Sequence, residues 1–216
     1  MNYRCVILFS LSILVAAIIG VIRFKKIDPA YYPFIICTWI ASINEIAGIF
    51  ITSRGQPTVI NNNIYVLIES LLITWQFERW SLFSQHKKTF FLLMAGLLLT
   101  WITDSFLISG INQISFYFRL LYSFAIVLMA ITVNNNLIFT FKKKLIRSPE
   151  FLICTGFILY FTYKILIETF WLYGLNNSKN FRINVYLLLT WINLFVNLIY
   201  AIALLWIPKK LRYTVL

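Results

Sequence analysis

Apolar stretches of roughly 20 residues recur along this whole 216-residue chain, separated only by short polar breaks. A helix of that length spans the roughly 30 Å hydrocarbon core of a bilayer. Inside lipid a backbone must satisfy its own polar groups, which leaves only helices or a closed barrel. Barrel strands are about ten residues long and alternate in polarity, and no such alternation runs here. The chain therefore reads as an all-α membrane protein. Its composition agrees: 61% of residues are hydrophobic and 12% charged, against about 25% charged in a soluble domain.

Seven spans are expected, over residues 5–22, 33–52, 62–83, 89–109, 115–139, 149–173 and 183–207. Pro33 and Pro149 stand where a first helical turn tolerates proline, and Pro208 stops the last span. The breaks are too short to hold a soluble domain, so residues 1–216 form a single seven-helix bundle. The first span is followed by Arg23, Lys25 and Lys26 and has no small-x-small cleavage signal. It reads as an uncleaved helix rather than a signal peptide.

Charge sets the expected orientation. With the N-terminus outside, the inner regions hold Arg23, Lys25, Lys26, Arg79, Lys87, Lys88, Lys142, Lys143, Lys144, Arg147, Lys209, Lys210 and Arg212. The outer regions hold only Arg4, Arg54, Lys179 and Arg182. That asymmetry favours an outside N-terminus and a cytoplasmic C-terminus. Tyr31, Tyr32, Trp80, Trp171, Tyr173 and Trp206 near span ends suit interfacial aromatic belts. The net charge of +12 lies in short loops beside apolar spans, which points to topology and anionic lipid rather than nucleic acid.

Cys5, Cys37 and Cys154 lie in or beside spans without Cys-x-x-Cys spacing, and read as small buried apolar residues. The single histidine, His86, falls in a loop. No metal site and no cofactor are expected from this set.

The polar residues inside the spans are the informative ones. Glu45, Glu69, Asp104, Arg119, Lys164 and Glu168 all fall in the outer half of their spans. Intramembrane charge is costly, so such residues face the bundle interior or a wet cavity. At about 100° per residue, Thr38, Ser42, Glu45 and Thr52 share one stripe of the second span. Asn62, Tyr65, Glu69, Gln76 and Trp80 share a stripe of the third. Tyr160, Lys164, Glu168 and Trp171 line the sixth, and Tyr186, Thr190, Asn193, Asn197 and Tyr200 the seventh. Pure helix–helix glue need not gather at one depth, so an outward cavity is expected. Its candidate lining is Glu45, Tyr65, Glu69, Asp104, Arg119, Lys164, Glu168 and Asn193. Glu69 needs a cationic partner, with Lys164 and Arg119 the candidates. Four acids against two bases leave surplus negative charge for a proton or a cationic ligand.

Glu78-Arg79-Trp80 ends the third span. It reads either as an interfacial anchor or as a cytoplasmic switch. The second reading comes from local similarity to the Asp/Glu-Arg-Tyr element of G-protein-coupled receptors. Asn197-Leu198-Ile199-Tyr200 loosely resembles those receptors' Asn-Pro-x-x-Tyr without its proline, and their Trp-x-Pro element is absent. A longer resemblance is carried by NNNIYVLIESLLITWQFERW, residues 61–80, with its Asn-Ile-Tyr start and mid-helix Glu. Together with the span number and the basic tail, it is similar to seven-helix membrane proteins of Bacteroidota. That resemblance implies a multi-pass protein of a bacterial inner membrane and brings no activity with it.

The first functional expectation is a receptor-like or sensory protein, not an enzyme. It binds a small polar or amphiphilic ligand from outside and signals through a separate cytoplasmic or membrane partner. The alternative is a small-molecule or proton-coupled transporter, which intramembrane acids and a lysine would suit. Against it stand the lack of an internal repeat and of paired Gly/Pro-broken helices. An intramembrane hydrolase comes third. Carboxylates could serve it, but no Gly-x-Ser-x-Gly, no His-Glu-x-x-His and no intraspan histidine is present. Retinal binding is disfavoured because the seventh span has no lysine.

Overall fold

A computed structural model describes residues 3–140, 145–173 and 178–209, without the side chains of 3–6, 140, 179, 180 and 182. Lys142, Lys143, Lys144, Lys210, Arg212, and the side chains of Arg4, Cys5, Lys179 and Arg182, lie outside the described residues. Within them the chain is helical, with no strand. The helices are α1 (Tyr3–Ser10), α2 (Ile13–Arg23), α3 (Tyr32–Ser53), α4 (Val59–Arg79), α5 (Lys87–Ile102), α6 (Phe116–Thr140), α7 (Pro149–Leu172) and α8 (Lys179–Trp206).

Six helical segments are long and apolar enough to cross a membrane: Ile7–Lys26, Pro29–Ser53, Lys87–Ile108, Phe116–Phe139, Pro149–Leu172 and Ile183–Trp206. The remaining helix, α4, has the length but is too polar to join them. Its polarity is turned inward. Asn63, Glu69, Ser70, Thr74 and Gln76 are all buried, whereas Ile60, Ile64 and Trp75 face out. The outer surface as a whole is apolar, with Phe139 82% and Leu107 79% exposed, while Glu69 is 6% exposed. Such an arrangement suits a hydrocarbon solvent and inverts the usual distribution in water.

Helices pack mainly on their sequence neighbours. α5 lies outside the ring, against α4 and α6, and α8 closes the ring on α1 and α2. Three sets of contacts stitch that closure. The Arg23 guanidinium donates to the carbonyls of Leu204, Leu205 and Ile207, the orphan acceptors at the end of α8. Asp28 N–H donates to Pro208 O at 3.2 Å, and Ile27 bridges Lys209. Nearby, the Tyr31 hydroxyl donates to Glu150, which also accepts from Ser148 Oγ at 2.6 Å. Glu150 thus lies in the first turn of α7, where an acid complements the helix dipole.

Among the departures from the expected spans, which include earlier starts of α4 and α8, three stand out. The first span is not one helix. At Leu11 and Ser12 the ladder tightens to i→i−3 bonds, with Ser12 N–H on Phe9 O and Val15 N–H on Ser12 O. Ser12 Oγ bonds Phe9 O and accepts from Asn197 Nδ2 at 2.8 Å, so a hydroxyl inserted in the ladder marks the break. The third span ends at Arg79, not 83. Trp80–Gln85 turn back, with Ser81 at φ +62°. The fourth span ends in a π-helical turn, Thr103–Ile108. Cys37 and Cys154 are buried and free.

Candidate functional site

The site grows from α4, the polar helix that its neighbours enclose. Gln76 ties it to α3, accepting from Phe34 N–H at 2.9 Å and donating to Ala30 O at 2.7 Å. Those are backbone groups at the start of α3 that its own helix leaves unsatisfied. One turn from the other end, Asn63 donates to Ile111 O and Gln113 O at 3.2 and 2.7 Å. Its own carbonyl accepts from Trp101 Nε1 at 2.9 Å. Thr38, Ser42, Ser70 and Thr74 donate to carbonyls of their own helices, so they need no partner across the interface.

Between these anchors lies Glu69. One carboxylate oxygen accepts from Tyr65 Oη at 2.7 Å, the other from Tyr122 Oη at 2.8 Å. Lys164 Nζ stands 3.5 Å from the second oxygen and donates to the Tyr122 hydroxyl. The ammonium also sits over the Tyr122 ring, 5.0 Å from its centroid, and over Tyr160 at 5.6 Å. Lysine, tyrosine and glutamate from α7, α6 and α4 thus form one bonded chain. Of the two cations expected as partners for Glu69, Lys164 is the one in place. Arg119 pairs instead with Glu168 at 3.4 Å and reaches Asn63 Oδ1 at 3.3 Å.

Two cavities meet here. The outer chamber, about 360 Å³, is walled by Glu45, Tyr65, Arg119, Tyr160, Lys164 and Glu168 among others. The inner chamber, about 80 Å³, is bounded by Glu45, Tyr65, Glu69 and Asn193 together with Phe34, Phe157, Phe161 and Tyr200. Glu45, Tyr65 and Tyr160 line both. Seven of the eight sequence-expected ligand residues therefore border one of the two chambers.

Asp104 borders neither. Its oxygens accept from Ser109 Oγ at 2.7 Å and from Phe118 N–H at 2.8 Å. It closes the π-helical turn and caps the start of α6, which is helix-end chemistry. Thr52, placed on an inward stripe by periodicity, is exposed, whereas Tyr186 is exposed and also borders the outer chamber. Glu78 is half-buried and Arg79 exposed, and neither joins an ion pair among the described residues. Arg79 instead borders a third cavity of about 530 Å³ at the opposite end of the bundle, with Trp80, His86, Asn136 and Glu150.

Tyr122 and Asn63 are the site residues that sequence reasoning passed over. Tyr122 carried a signal, since Ser115, Arg119 and Tyr122 share one stripe of α6. Asn63 did not stand out among three consecutive asparagines. No family model, no curated protein and no solved structure matches this chain.

Proposed function

We propose that this chain is a seven-span, receptor-like membrane protein that binds a small polar or amphiphilic ligand in the two linked chambers. One observation carries the reading. Charged side chains from α3, α6 and α7 border one open space of ligand size, although Arg119 pairs with Glu168 and Lys164 with Glu69. Ligand sites have that form: a largely apolar concavity with a few convergent polar groups.

α4 serves as the seventh span, its polar face enclosed and its Ile60, Ile64 and Trp75 stripe turned to lipid. Seven spans put the termini on opposite sides, and the Lys/Arg asymmetry puts the C-terminus in the cytoplasm of a bacterial inner membrane. The chambers then open outward. The Arg79 end, with Glu78 beside it, meets the cytoplasm, where a separate signalling partner would engage it.

Native mass spectrometry of protein gently solubilised from its host tests the proposal. A retained small molecule together with a co-purifying polypeptide is the expected result. A bare chain with neither refutes it. A carrier is the second reading, favoured by the interrupted first span, because transporters place broken helices beside their substrate and Ser10 and Ile13 border the inner chamber. Accumulation of the retained molecule in sealed vesicles containing the purified protein would decide for the carrier.

A further inference from the structure

Four acids gather in the half of the bundle that holds the chambers, and three are committed to protein partners. Glu69 accepts from two tyrosines beside Lys164, Glu168 pairs with Arg119, and Asp104 caps α6. Glu45 has no hydrogen bond and no ion pair among the described residues, although it lines both chambers. Its neighbours on α3 offer it nothing. Thr38 and Ser42 turn their hydroxyls to α3 carbonyls, and Asn44 accepts from Asn61 Nδ2 at 2.7 Å. Glu45 is half-buried, and an unpaired carboxylate in such a largely apolar setting is costly. It persists where water or a ligand completes its shell.

The surroundings narrow what that ligand is. Tyr65 and Tyr160 share with Glu45 the lining common to both chambers, the neck between them, and the inner chamber adds Phe34, Phe157 and Phe161. Aromatic faces attract organic cations. A divalent metal would call for several oxygen ligands and more than one carboxylate, and the other carboxylates here are occupied. Arg119 and Lys164, which border the outer chamber, are held by Glu168 and Glu69, so neither pairs with Glu45.

We propose that Glu45 is the recognition residue for a compact organic ammonium group, a primary or methylated amine, held at the neck between the chambers. The small apolar substituent of the amine occupies the aromatic inner chamber, and the remainder of the ligand extends into the outer one. This rests on the ligand-binding reading above and names the class of ligand.

The test uses the full chain in lipid nanodiscs, with isobutylammonium and tetramethylammonium as probes and isobutanol and sodium chloride as controls. Binding is read as thermal stabilisation across a titration. Both ammonium probes should stabilise the wild type, with neither control doing so. Glu45→Gln should bind them about tenfold more weakly or worse, the loss of one charge contact, while Glu45→Asp retains binding. Equal stabilisation by isobutanol and isobutylammonium overturns charge recognition but leaves the chambers as a ligand site. Stabilisation by sodium alone overturns the organic class. No response to either ammonium probe overturns the inference. The ligand-binding reading then stands or falls separately, on whether the native mass spectrum carries a neutral or anionic molecule or none.

Discussion

Breaking the Glu69–Lys164 pair should cost the bundle more than replacing it. At 3.5 Å and an effective dielectric near 20, Coulomb's law gives an attraction of about 5 kcal/mol. Desolvation offsets much of that. In a membrane the unfolded chain also finds polar partners, which reduces measured couplings further. A coupling of about 2–3 kcal/mol is therefore expected. Lys164→Met leaves Glu69 on two tyrosine hydroxyls with no cation, and should destabilise by about 3 kcal/mol. Glu69→Gln keeps one acceptor oxygen where the carboxylate offers Tyr65 and Tyr122 one each, and it strands the ammonium, at a similar cost. The double variant should be far closer to wild type than the sum of the singles. Equilibrium unfolding in mixed micelles, completed as a double-mutant cycle, reads the coupling directly. A coupling below about 0.5 kcal/mol would refute the pair as a stabilising unit. In that case Tyr122, which bonds both groups, would be the true link, and Tyr122→Phe would carry the larger loss.

Other substitutions separate structural from ligand roles. Asp104→Ala removes the cap of α6 and should cost about 1 kcal/mol without changing ligand affinity; reduced affinity at unchanged stability would return Asp104 to the site. Gly156→Ala places a methyl against the Tyr200 ring, which walls the inner chamber. Overpacking of that kind costs about 1–3 kcal/mol, and ligand affinity should fall with it; unchanged affinity would show that the inner chamber is not used. Gln76→Leu strands Phe34 N–H and Ala30 O and should destabilise by about 2–4 kcal/mol in the same unfolding assay, whereas a neutral effect would mean water replaces the amide.

Much of this was legible in the sequence because lipid imposes a severe rule. Span length and apolarity fix where helices run, and the expense of intramembrane charge keeps Glu45, Glu69, Lys164 and Glu168 on the linings of the two chambers. What escaped was set by pairwise geometry. Periodicity could place Arg119 and Lys164 inward but could not say which would meet Glu69. Asp104 has the same polarity as its neighbours, yet it is consumed by a helix start distant in sequence. The break at Ser12 lacks the Gly or Pro that flags an interruption, since a hydroxyl bonding back to a carbonyl can do the same. Arg23 looked like a topology charge and proves to hold the last helix's carbonyls.

That last contact bears on the order of events during synthesis. Arg23 meets its acceptors across 181 residues, so the ring cannot close until nearly the entire chain has left the ribosome. Until then α2 presents an unmatched flank to lipid and a guanidinium that only water can serve. The bundle is therefore assembled as an open arc and locked at the end, and its interior chambers exist only after the last helix arrives. A chain truncated before Asn193 would retain most of its helices and still lack the wall that Asn193 and Tyr200 supply.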